Sequence, residues 1–539
     1  MYGGSMKTTT SRLRRRSAVA AAAAVLALAL TACGSGGTTA NPTSGGSAAT
    51  GDIDKNATIE AGISYSLGGG FDPMTTSGAV TVAANWHTLE GLTELDGVTR
   101  VPYEALAGKI TEDGDSAITV ALRDGAVFHD GSPVTADDVV FSYERVLDPA
   151  NNSLYRDFIS FVDKVEKVDD TSVKISFKFP FSLYMERLSA VKIVPKAIVE
   201  KDLDAFTALP TGTGPYKITS ATPDDKITFE RFDKYTGPKP AQAAGMTWNL
   251  LSDPAARVTA LQSGTVHAIE DVPLIDLPTL QGVEGLKAEK VQAFGLLFMM
   301  FNTKSAPFDD VRVRQAFHYA LDKESLVKNG MLDAAEPATS FLPSTHPNYH
   351  EASTQYAYDP EKAKALLAEA GVSNLSITLL ATDTGWVADV LPLIQQDLEK
   401  VGVKVTLDVG QSSGQYTKVD AGDYQVMVAP GDPSVFGNDV DILSRWWFGD
   451  NVWTKSRTGW AGSEKFTELT NHLDKALRTS GDAQQTEWND AMDIMSEEVT
   501  LYPLFHRQLP TAWSTSSLKN FSPISTTGLN FLEAGVVTK

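Results

Sequence analysis

A chain of 539 residues with 46 basic and 67 acidic side chains carries a formal charge of −21, and its only cysteine is Cys33. That length implies two or three domains, and 42% hydrophobic with 21% charged residues is globular material rather than disordered or fibrous chain. The acid excess excludes nucleic acid as a partner, since phosphate backbones call for basic stripes. One cysteine excludes an internal disulfide and a thiolate metal cluster.

Export features come first. Lys7, Arg12, Arg14, Arg15 and Arg16 form a basic segment with no acid, and Ala18 to Leu30 is an unbroken apolar run. The run is shorter than the about 20 residues that span a bilayer and fits a signal peptide over residues 1–32. Met6 is the expected start of that pattern. Leu30-Thr31-Ala32-Cys33 resembles a bacterial lipobox, in which the Cys33 thiol takes a diacylglyceryl thioether. Each buried CH₂ contributes about 0.8 kcal/mol, so two or three acyl chains anchor durably where one does not. The alternative is an ordinary signal peptide beside a stray cysteine. Residues 33–52 are poor in charge and rich in Gly, Ser, Thr and Ala, a flexible tether. Loss of the five basic residues of the signal takes the charge from −21 to −26 on the exported body.

Strands and helices then alternate. Ile118 to Leu122 has period two and reads as a half-buried strand. Thr135 caps a helix with Asp138 in the capping-box position, and Pro149 stops it. Val173 to Phe177 is a strand, and Asp310 to Val327 reads as one helix. Asp359-Pro360 opens a helix that Gly371 closes. Leu375–Leu380 and Val403–Val409 are strands flanking a helix over Val387–Val401, and two late helices cover about Glu464–Leu477 and Ala483–Val499. This order implies an α/β fold with a mostly parallel sheet in the second half.

Eight stretches in order carry a resemblance. They begin with His87 to Leu95, Leu122 to Gly131 and Thr135 to Val139, then Gly212-Thr213-Gly214-Pro215-Tyr216 and Arg257 to Gly264. Phe301-Asn302 to Ala316, Tyr358 to Ala363 and Leu501 to Phe505 complete the set. Together they resemble the extracellular solute-binding proteins, family 5, of dipeptide, oligopeptide and nickel ABC importers. The resemblance implies a two-lobe periplasmic-binding-protein fold (class II, peptide-binding type). Lobe I would be residues 53–292 with an extra subdomain at about 101–209, lobe II residues 293–504, and residues 505–539 a return to lobe I. Crossings at Gln292–Ala293 and Leu504–Phe505 would form the hinge. The implied protein is a monomeric, lipid-anchored receptor on the outer face of the cytoplasmic membrane. It would capture a peptide-like solute and deliver it to permease and ATPase subunits, with no cofactor, no metal and no chemistry of its own. Chelated nickel and oligosaccharide are the other solutes the resemblance leaves open, and a surface sensor or adhesin keeping the fold is a further alternative.

In this family the first strand, the turn before the first helix and the second lobe's sheet edge face the cleft. The corresponding candidates are Tyr65, Trp86, His87, Phe298, Met300, Asp432, Arg445, Trp446, Trp447 and Tyr502. Asp432 is either the anchor for a ligand ammonium or the cap of the turn at Pro433; the stretch around it is shorter than the family's and lacks its tryptophan. Read as a strand, Trp446 and Trp447 point oppositely, so one faces the cleft while the other packs, and Arg445 could pair a ligand carboxylate. Phe298, Met300 and Tyr502 are divided between ligand contact and packing. Gly68-Gly69-Gly70 has no following lysine and reads as a cleft loop rather than a phosphate cradle.

Two rivals remain. Gly410-Gln411-Ser412-Ser413-Gly414 matches a hydrolase nucleophile elbow, with Asp432 or Asp439 and His472 or His506 in the required order, but no oxyanion element accompanies it. His346 and His350 have a metal-ligand spacing, but Pro347 marks a loop and no third ligand is near in sequence.

Overall fold

The computed structural model describes residues 51–538. The signal segment, Cys33 and nearly all of the tether lie outside the described residues. Among the described residues no helix is long and apolar enough to cross a membrane.

An eleven-stranded mixed sheet organises the molecule. At one end Lys404–Gly410, Ser376–Thr382 and Val426–Gly431 run parallel. At the other, Thr58–Ile63 lies parallel to Gly245–Leu250 and to Ala268–Glu270. Between these groups stand two long antiparallel strands, Leu286–Phe301 and Leu501–Ser514. The expected parallel arrangement therefore holds for three strands of the second half, and the central join is antiparallel. The pairing of the two long strands breaks register between Gln292 and Leu296, opposite Gln508 and His506. Such a break bends and twists a strand pair locally.

A separate four-stranded antiparallel sheet, ordered Ala107–Glu112, Ala117–Leu122, Ser172–Phe177 and Val162–Asp169, lies within the region expected as a subdomain. Its core is made by Ile118, Val120, Val173 and Ile175 with Phe128, Val139, Tyr143 and Phe161, each at most 1% exposed. The Ala136–Leu147 helix supplies Val139 and Tyr143, and its Thr135/Asp138 capping box is formed. Val435, Phe436 and Ile442, distant in sequence, pack against this same core. The largest core gathers around Leu286–Phe301, from Phe294 through Trp447 and Trp488 to Phe505.

Local differences from the sequence reading have physical causes. The helix beginning at Val311 ends at Ala320, because Asp322 starts a new turn by accepting from the Ser325 N–H. The Arg445-Trp446-Trp447 segment is helical, within Val440–Phe448, and not a strand. Its apolar residues follow helical spacing and Asp439 caps it, accepting from the Asp441 and Ile442 N–H groups. Gly212 and Gly214 are needed because a Cβ there would meet Thr88 O at 2.0 Å and His87 O at 2.5 Å.

Candidate functional site

Tyr65 follows the first strand, Asp432 follows Val426–Gly431, and Arg507 lies on the Leu501–Ser514 strand. With Trp386, at the start of the Gly385–Lys400 helix, and Thr527 they line one cavity of about 190 Å³. The Arg507 guanidinium stacks on Trp386, its carbon 4.0 Å from the ring centroid, and donates to Asp271 Oδ1 at 2.7 Å. Burial works against the Arg507 charge, and Asp271 outweighs it, holding the guanidinium above its ordinary pKa. Arg507 Nε and Trp386 Nε1 are buried without a protein partner, leaving two donors at the wall of this cavity. Burial also pushes the Tyr65 phenol up.

Asp432 is already engaged. Its Oδ1 accepts from Ser434 N at 3.2 Å and Ser434 Oγ at 2.5 Å, capping the Pro433–Val435 turn. Its Oδ2 accepts from Thr527 N at 2.9 Å and Thr527 Oγ1 at 2.7 Å. A carboxylate offers about four lone-pair sites, and the fold fills four. Glu270 and Asp271 line a neighbouring small cavity that shares Tyr65 and Thr527 with the first. Glu270 is buried, and burial raises its pKa to about 7 although Ser64 N and Oγ donate to it.

The structure brings Tyr65 and Asp432 together and differs at other candidates. His87 is fully buried: Nδ1 bonds Ala83 O at 2.8 Å, while Nε2 accepts from Phe531 N at 2.9 Å. Both ring nitrogens are therefore used within the fold, and burial lowers the His87 pKa to about 4. Phe298 and Met300 are fully buried in the largest core, and Trp447 packs there against Phe298 and over Gly431. Tyr502 is also in that core, its ring 5.8 Å from His318. Arg445 donates to Asp441 and Asp474, each at 2.7 Å, so its charge is already met. Trp446 is half-buried against Phe436 and Phe158, and Trp86 lines a different cavity from Tyr65.

Neither chemical rival gains support from the geometry. Ser412 opens a helix after the Lys404–Gly410 strand, but His506 Nδ1 bonds Phe294 O and His472 Nδ1 bonds Glu487. His346 bonds Asn438 O while His350 pairs with Asp493, so the two share no site. One group of three possible metal ligands does occur among the described residues: His472, Glu487 and Asp490. It joins two late helices, Glu464–Ala476 and Gly481–Glu498, which is why sequence spacing missed it. The same reasoning missed Trp386, Arg507 and Thr527, whose shared cavity exists only in the folded chain.

Residues 101–454 match the model of bacterial extracellular solute-binding proteins, family 5 Middle. The chain belongs to that family. It is an extracytoplasmic solute-binding protein of ABC importers and not an enzyme. The glutathione-binding protein GsiB of Escherichia coli K12 is 27% identical over 490 residues, covering 89% of this chain and 94% of the relative. Among solved structures, the binding protein AgaA of A. tumefaciens R10 in complex with agropinic acid has 27% identity and a TM-score of 0.79. That match covers 90% of this chain and 99% of AgaA. DppA of Helicobacter pylori, in complex with the peptide STSA, has a TM-score of 0.80 at 20% identity over 90% of this chain and 98% of its own, a likeness of fold. The family-5 chain thus has the α/β two-lobe fold of peptide-binding periplasmic proteins.

Proposed function

We propose that this family-5 protein is a lipid-anchored receptor that captures a peptide-like solute and hands it to an ABC permease. The observation that carries the reading is the cavity where Tyr65, Trp386, Asp432, Arg507 and Thr527 converge from five separate stretches of chain. Arg507 Nε and Trp386 Nε1 supply free donors for a solute carboxylate, Asp432 supplies a carboxylate that a solute ammonium would share with Ser434 and Thr527, and the family relative GsiB is named for glutathione, itself a peptide. Of the residues expected at the cleft, Tyr65 and Asp432 are the proposed contacts, and Trp86 lines the adjoining cavity. Lobe I is taken as residues 53–292 with 505–539, and lobe II as 293–504. The register break at Gln292–Leu296 suits a hinge, because paired strands bend most readily where the ladder is interrupted. Solute held between the lobes would bias an open–closed equilibrium toward the form a permease reads. Cys33 would carry the acyl chains, and the tether would leave the receptor free to reach its partner.

Native mass spectrometry of the purified protein with its carried-over solute tests the ligand class. A distribution of short-peptide masses is expected; a single sugar or metal-chelate mass would overturn the peptide reading.

A further inference from the structure

A second cavity, of about 50 Å³, lies beside the first and shares Val435 as part of its wall. It has room for a few waters or one small polar group. Trp86, Tyr103, Tyr155 and Phe436 give it aromatic sides, and Arg100 and Asn85 reach its surface. Two polar atoms at this wall have no partner. Arg100 Nε is buried without an acceptor, and Asn85, only 3% exposed, has Oδ1 without a donor while its Nδ2 bonds Phe71 O.

The charge at this wall is unbalanced. Glu94 is paired with Lys192, leaving the Arg100 cation as the surplus. Among the described residues no carboxylate comes within ion-pair distance, 4.0 Å, of Arg100, whose Nη2 donates to Ser434 O at 2.6 Å. Burial lowers its pKa to about 10 against the more distant pull of Asp432, Asp96 and Glu94, so it remains charged at neutral pH. The residue also has φ +59°, a left-handed conformation that a side chain other than glycine, asparagine or aspartate adopts at some cost. Asp96 holds that turn by accepting from the Val98 and Thr99 N–H groups. A half-buried guanidinium with a buried free donor and no carboxylate in reach, on the same cavity wall as an amide oxygen with a free acceptor site, is a poor structural solution for an empty wall. It is complementary to a carboxylate that has an N–H nearby.

We infer that this cavity is an anion subsite of the solute cleft, in which Arg100 binds a carboxylate of the solute and Asn85 accepts from an adjacent N–H. The preferred solute is then acidic, bearing a carboxylate beyond the part held near Tyr65 and Asp432. The inference rests on the reading that solute occupies this cleft, and deepens it by naming the solute's charge.

The test uses the full chain, purified in detergent and stripped of carried-over solute. Calorimetry compares the C-terminally amidated tripeptides Ala-Ala-Glu-NH₂ and Ala-Ala-Gln-NH₂, so that the Glu side chain is the only carboxylate, and thermal shift compares glutarate with glutaramide. The Glu peptide is expected to bind at least about tenfold more tightly than the Gln peptide, the margin of one charge-assisted hydrogen bond. Arg100→Gln should abolish that preference, and Arg100→Lys should keep part of it, since Lys retains the charge without the planar fork. If neither peptide binds but glutarate alone protects the wild type and not Arg100→Gln, the peptide reading falls and the anion subsite stands. Equal binding of the two peptides by the wild type would overturn the subsite. So would an Arg100→Gln protein weakened equally for both peptides, the mark of a mere strut to Ser434, or a protein protected by neither glutarate nor peptide.

Discussion

Asp432 and Thr527, 95 positions apart, are joined by two hydrogen bonds to one carboxylate oxygen, at 2.9 and 2.7 Å. The bond pair ties the turn after the Val426–Gly431 strand to the C-terminal segment, across the wall of the main cavity. Asp432 thus works as a turn cap and a clasp, and any ammonium it receives must share its oxygens with those donors. Asp432→Asn is expected to weaken peptide affinity at least about tenfold, or ~1.4 kcal/mol. Thr527→Val, which removes one clasp donor but no charge, should weaken it by less. Calorimetry with the same peptide and its N-acetylated form separates the roles: an ammonium anchor loses affinity for the free amine selectively, a clasp for both forms alike.

Arg187 should be among the most sensitive positions for stability. It is 1% exposed, donates to Asp439 at 2.6 and 2.9 Å and to Asp441 at 2.8 Å, and its Nη1 bonds Phe158 O. Burial opposes its charge, but the two aspartates outweigh this and raise its pKa. Arg187→Ala strands the buried Asp439 carboxylate and leaves Asp441 with Arg445 alone, so a loss of about 3–5 kcal/mol is expected, read as a lower urea midpoint. Removing Asp439 as well should recover part of the loss, because one stranded charge goes with it.

Glu270 sets a pH dependence of known sign. Burial raises its folded pKa to about 7 from the ordinary 4.5, so between these values the folded form holds a proton that the unfolded form has released. Stability from this group therefore falls as pH rises from about 4.5 to about 7 and levels off above. Glu270→Gln keeps an oxygen for the Ser64 donors and removes the titration, so its denaturation profile over that window should be flatter than the wild type's. Parallel profiles would count against a raised Glu270.

His87 should behave as a core residue. His87→Ala leaves the Phe531 N–H without an acceptor and opens a cavity beside Trp248, whose ring centroid is 5.4 Å away. A loss of about 2–4 kcal/mol in stability is expected, with solute affinity of the folded protein unchanged. Its pKa of about 4 means the fold binds no proton there between about 6.5 and 4 while the unfolded chain does, so this group's stability is lost as pH falls through that range. That is the opposite sign to Glu270, and the two single variants separate the contributions.

Cys33→Ala removes the thiol that would carry the acyl chains, so the variant should lose the membrane retention those chains supply. Retention of the variant in washed membranes would remove the lipid anchor from the account.

Much of this protein was legible in its sequence because the signals were local. The Thr135 and Asp359 caps act within three residues of themselves. The family pattern lies in short ordered stretches, so the resemblance could be read from them, and the resemblance implied the fold and transport role. The site was different, because exposure depends on what distant chain covers. His87 and Phe531 meet across 444 positions, Phe298 and Met300 lie under other strands and helices, and Trp447 turned inward once its segment proved helical rather than extended. Arg507, Trp386 and Arg100 carry no local motif. Only the tertiary structure placed Arg507 against Asp271 while leaving Arg100 without a counter-charge, and charge pairing across hundreds of residues is a property that no window of sequence contains.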